Sequence, residues 1–138
     1  MANVIVDTGP LLSYFDRNSQ HHSWVVSQLK EVTGQLLTCE AVLAETIFLM
    51  QRDGLNPEWV LHLVERGELL CGFDLTGEIP TVRRLLRQYR NLRPSLANVC
   101  LVRMSELNSN RVVMTFDRDF LLYRRNGRQK IPLLAPFV

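Results

Sequence analysis

Hydrophobic and polar positions fall into two alternating rhythms along the chain. Val4-Ile5-Val6 is a short β-branched run cut off by Asp7, and Thr8-Gly9-Pro10 turns the chain before Leu11 opens a new segment. A run of this kind closed by a Gly-Pro breaker predicts a fully buried strand. Residues 11–31 predict a largely helical segment, with Trp24, Val25, Gln28 and Leu29 at helical intervals and Gly34 beyond its end. Residues 35–39 predict a short strand, and residues 40–52 a buried helix closed by Asp53-Gly54. A shorter helix is expected over 57–67, then a strand over 69–75 interrupted by Gly72. In residues 77–92, Val82, Leu85, Leu86 and Tyr89 share one face, the spacing of an amphipathic helix. Pro94-Ser95 opens a helix over 96–107, residues 111–116 predict another strand, 117–125 a short helix, and 130–134 a last strand before Pro136.

Strands and helices therefore alternate throughout. This predicts an α/β fold, a three-layer α/β/α sandwich with a mainly parallel central sheet. A length of 138 residues without repeats, low-complexity tracts or linkers predicts a single domain over 1–138. Hydrophobic residues at 46% and charged residues at 22% argue against long disorder. The formal net charge of only +2 excludes a strongly cationic nucleic-acid coat, while leaving room for a local basic patch. Cys39, Cys71 and Cys100 are odd in number and form no CxxC pair, so they read as buried thiols of a reducing cytosol. No apolar stretch approaches the roughly 18 residues of a membrane span, and a soluble, cytoplasmic protein is expected.

The candidate chemistry is acidic. Asp7 closes the first buried run, where open α/β sheets place their ligands, although an aspartate here could equally cap the following turn. The same pattern recurs in RVVMTFDRDF, where a strand runs into Asp117 and Asp119. Within AVLAETIFLM, Glu45 is the only ionisable residue, which calls either for an arginine partner or for a role in the acidic site. Hard oxygen donors without histidine or cysteine suit Mg²⁺ or Mn²⁺, and the matching chemistry is phosphodiester hydrolysis. Adjacent His21 and His22 would point about 100° apart on a helix and are poorly placed to chelate one ion. No glycine-rich phosphate loop is present, and Asp7-Thr8-Gly9 lacks the DxD of a haloacid-dehalogenase-like phosphatase. Arg83, Arg87 and Arg90 share a helical face, with Arg84 and Arg93 nearby. That stripe is either a solvated surface or a contact for RNA phosphates.

Taken in order, VIVDTGPLL, AVLAETIFLM, PSLANVCLVRMSE and VVMTFDRDF resemble the PIN-domain family over essentially the whole chain. The length is most like the VapC-type toxin ribonucleases of bacterial toxin–antitoxin pairs. The resemblance implies a metal-dependent endoribonuclease, usually a homodimer, held inactive by a cognate antitoxin. It matches Asp7 and Glu45 to the family's first two acids and Asp117 to the acid after the late strand. Asp119 matches an additional acid found in part of the family, and Thr115 a hydroxyl that orients water or an acid. Asp7, Glu45, Asn98 and Asp117 are thus the expected catalytic set, and Asp7, Asn98, Asp117 and Asp119 the expected metal set. All are expected around one pocket at the carboxyl edge of the sheet, with Asp119 at its rim.

Asn98 departs from the pattern, since the family usually has aspartate there. One unit charge pair about 4 Å apart is worth roughly 4 kcal/mol at an effective dielectric near 20, so the missing charge weighs on cation binding. Three accounts stay open at this level. Asn98 is a natural feature of an impaired or divergent enzyme, a deliberate replacement that tames a toxic nuclease, or an ordinary helix-capping residue beside sufficient acids. The alternative to an enzyme is a non-catalytic PIN-like module that binds RNA or protein.

Overall fold

A buried strand needs partners on both edges, and β1 (Asn3–Val6) finds them at opposite ends of the sequence. In the computed structural model, which describes residues 3–138, β1 pairs in parallel with β2 (Leu36–Thr38) on one side and β4 (Arg111–Met114) on the other. β3 (Leu69–Cys71) extends the sheet beyond β2, and β7 (Leu133–Leu134) extends it beyond β4. The order β3-β2-β1-β4-β7 is parallel throughout. Parallel sheets are covered on both faces by their crossover helices, so their central strands are continuous apolar runs rather than alternating ones. Val4, Ile5 and Val6 are all buried accordingly.

Among the described residues six α-helices cover the sheet: α1 (Thr8–Phe15), α2 (His22–Leu29), α3 (Glu40–Arg52), α4 (Glu58–Glu65), α5 (Leu75–Gln88) and α6 (Leu96–Leu107). α1 packs against α2 and α3, while α6 packs against α5, β1 and β4. The alternation of strands and helices is as the sequence predicts, giving the α/β/α sandwich with a parallel sheet. Local boundaries differ for identifiable reasons. Pro10 does not break the chain: it lies in the first turn of α1, where its missing N–H costs nothing. The expected helix over 11–31 is instead two helices. Asp16 accepts a 3.0 Å bond from Asn18 N–H, and the Ser13 and Ser19 hydroxyls meet at 2.6 Å, so side chains hold the intervening turn.

The region after β4 differs most. Residues 117–125 form only a 3₁₀ turn (Arg118–Leu121) before a small antiparallel hairpin, β5 (Arg124–Arg125) with β6 (Gln129–Lys130). Asn126 and Gly127 both take positive φ at its tip, a conformation open to asparagine and glycine. The expected strand over 130–134 is correspondingly divided between β6 and β7. α3 buries Val42, Thr46 and Met50 but leaves Glu45 exposed, correcting its expected burial. Cys39 and Cys100 are buried free thiols, and Cys71 is half-buried. Among the described residues no helix is long and apolar enough to cross a membrane.

Candidate active site

The chain winds from β1 outward to β2 and β3, then crosses back to place β4 on the other side of β1. The switch point therefore lies between β1 and β4, and the crevice beyond their carboxyl ends is where such sheets bind ligands. Asp7 and Thr115 follow these strands directly. They meet there: Thr115 Oγ1 donates to Asp7 Oδ2 at 2.7 Å, closing a contact between residues 108 apart in sequence. Thr115 Oγ1 also accepts the Asp117 N–H at 2.9 Å, so one fully buried hydroxyl orients both acids.

Asp7 satisfies both placements that the sequence left open. Its other oxygen, Oδ1, accepts Thr8 N–H at 2.7 Å and caps α1, while the carboxyl group borders the cleft. Burial pushes its pKa up to about 6; the hydrogen bonds from Thr115 and Thr8 act against that, and the charges of Asp117 and Glu45 add to it. The cleft, about 310 Å³, is lined by Asp7, Thr8, Gly9, Glu45, Leu49, Asn98, Phe116 and Asp117. Asp7, Glu45, Asn98 and Asp117 thus border one space. Asp119 stands beside it, its N–H donating to Asp117 Oδ1 at 2.9 Å, with its side chain outside the lining.

Asn98 is fixed from every side. Ser95 caps α6 by accepting Asn98 N–H at 3.0 Å, and the Ser95 hydroxyl donates to Asn98 Oδ1. The amide Nδ2 donates to Asp117 Oδ2 at 2.9 Å and to the Tyr123 hydroxyl at 3.4 Å. Tyr123 is completely buried between Tyr89 and Phe120, both at edge-to-face spacing. Burial and the neighbouring acids push its pKa up to about 12. Sequence reading missed Tyr123, because a buried phenol near a helix carries the same signal as any core aromatic. It also missed Thr8, Gly9, Leu49 and Phe116 as lining residues.

The donor set is oxygen-rich and suits a hard cation. Among the described residues no three carboxylates, imidazoles or thiols stand close enough to enclose an ion alone. The arrangement fits a cation held by one or two carboxylates and completed by water and substrate, the usual mode for Mg²⁺. His21 and His22 take no part: His21 lies against Phe116, and His22 Nδ1 lies 2.8 Å from Ser13 O. Arg83, Arg87 and Arg90 are exposed and do not line the cleft; Arg90 lies past the end of α5, its Nη1 donating to Arg87 O at 3.1 Å.

The model of the PIN domain matches residues 4–126. This chain belongs to the PIN-domain family. It is 30% identical over 120 residues to ribonuclease VapC26 of Mycobacterium tuberculosis, covering 83% of this chain and 87% of that protein. The crystal structure of M. tuberculosis VapC20, described as a sarcin-ricin loop cleaving toxin, superposes with a TM-score of 0.75. That match covers 85% of this chain and 92% of the other at 13% identity, and so bears on the fold. The PIN domain here is of the VapC type.

Proposed function

We propose that this protein is a divalent-metal-dependent endoribonuclease, the toxin of a toxin–antitoxin pair. The observation that carries the reading is the Asp7–Thr115–Asp117 hydrogen-bonded unit at the switch point of the sheet. Its occurrence in a chain similar to a VapC ribonuclease supports RNA as the substrate. Mg²⁺ or Mn²⁺ held by Asp7 and Asp117, with Glu45 facing it, would stabilise charge on the phosphoryl oxygens and acidify water for attack.

The chain's own residues supply orientation. Thr115 fixes the Asp7 carboxylate by donating to Oδ2, and its oxygen anchors the backbone of Asp117. Asp119 N–H fixes the other end of Asp117 through Oδ1. Glu45, exposed on α3 and bordering the same space, is the freest carboxylate and the best placed to accept a proton from water. Asn98 holds Asp117 by an N–H rather than repelling it, so this version of the site is less negative than one with aspartate there. The exposed arginines 83, 87 and 90 supply phosphate contacts outside the cleft. An antitoxin protein as partner, a homodimeric assembly and a cytoplasmic location complete the proposal.

The deciding experiment incubates a mixed RNA pool with the protein and with Asn98→Asp, in Mg²⁺, Mn²⁺ or EDTA. Cleavage that needs the cation and is lost in Asp7→Asn supports the enzyme. RNA binding without cleavage by either protein would favour the non-catalytic module instead.

A further inference from the structure

A second recess, about 270 Å³, opens beside the acidic cleft and shares two of its walls, Gly9 and Phe116. Its other sides include His21, Asp16, Ser19 and Gln20. The His21 imidazole lies against the Phe116 ring at a centroid distance of 4.6 Å, tilted by 42°. Both residues are only half-buried and line the recess beside the acids, with Trp24 also near the Phe116 ring at a centroid distance of 6.1 Å. On another side Phe116 packs against Gly9, where a Cβ would come 2.9 Å from its ring. Acceptor groups stand at the same recess: the Asp16 carboxylate and the Gln20 amide.

We propose that this recess receives the nucleobase next to the scissile phosphate, stacked on Phe116 and His21 with its polar edge toward Asp16 and Gln20. The inference rests on the nuclease reading and adds a base-recognition subsite to it. Single-stranded RNA is recognised by such surfaces, aromatic or imidazole faces flanked by groups that read the base edge. Because Phe116 borders both spaces, one nucleotide can lay its phosphate over the acids and its base in the recess. Neither stacking ring has a mapped catalytic task. His21 caps α2 through its backbone alone, so its ring, whose Nε2 lies 3.2 Å from the Gln20 side-chain amide, is replaceable without loss of the helix cap.

The test uses labelled pentanucleotide RNAs in which each base in turn is removed, bound in Mg²⁺ to an Asp7→Asn background that does not cut them. One abasic position should weaken binding about 10-fold, the scale of one stacked base. That penalty should vanish in His21→Ala and in Phe116→Leu, and return in His21→Phe, which restores a flat ring. Affinities indifferent to the missing base, in a protein whose unmodified form cuts RNA, would overturn the subsite and leave the nuclease standing. A penalty that survives both His21→Ala and Phe116→Leu would place the base elsewhere and also overturn it. RNA neither bound nor cut would remove the nuclease reading and the subsite with it.

Discussion

Two residues set the character of the acidic cleft, Asp7 and Asn98. Asp7 is 8% exposed, and burial favours its neutral form, raising its pKa from an ordinary 3.8 to about 6. In the unfolded chain the same group ionises at its ordinary value. Its contribution to the metal-free protein is therefore complete below about pH 4 and declines as pH rises through 6, by about 3 kcal/mol in all. Denaturant titrations between pH 4 and 7 in EDTA should show that decline, and Asp7→Asn should flatten it. Asn98 acts in the opposite sense, since its amide donates to Asp117 where a carboxylate would repel it. Asn98→Asp should tighten Mn²⁺ binding by at least 10-fold in calorimetric titration, and lower metal-free stability by about 1 kcal/mol. Equal affinities would show that position 98 does not touch the ion. The sequence carried Asp7 and Asp117 because acids that end apolar runs stand out, Glu45 because it is the only ionisable residue in AVLAETIFLM, and the oddity at position 98 through the resemblance to the PIN family. It could not carry the orientation of the amide, which depends on Ser95, Asp117 and Tyr123 together.

At the level of elements, caps and turns do the positioning. Ser95 starts α6 and in the same stroke fixes Asn98 through both its N–H and its side chain. Ser95→Ala should cost about 1 kcal/mol, as loss of an N-cap usually does, measured by the midpoint of urea unfolding. It should also broaden the Asn98 side-chain amide signal in NMR spectra, which a cap distant from the cleft would leave sharp. Long apolar rhythms made α3, α5 and α6 legible, and β-branched runs made β1 and β4 so. The split between α1 and α2 was hidden because it depends on hydroxyl and carboxylate contacts within residues 13–19 rather than on periodicity. The β5–β6 hairpin was hidden for a related reason. Its strands are two residues each, too short for any alternation to register, and only Asn126-Gly127 marked the turn.

At the scale of the whole molecule, the proposed RNA contact rests on charge outside the cleft. Arg83, Arg87 and Arg90 are exposed, and α5 packs on the helix that carries Asn98. Replacing all three with glutamine should flatten the slope of log K against log salt for single-stranded RNA by about 2 while leaving the unfolding midpoint unchanged. An unaltered slope would return the stripe to a role in solvation alone. The architecture itself has a temporal side. β1 emerges first during synthesis, but its partner β4 and the hydroxyl that holds Asp7 lie 108 residues further along the chain. Contacts of such separation form late, and domains complete themselves only once their distant parts are available. The acids cannot be joined until most of the polypeptide has left the ribosome. The acidic cleft is thereby among the last features of the fold to take shape.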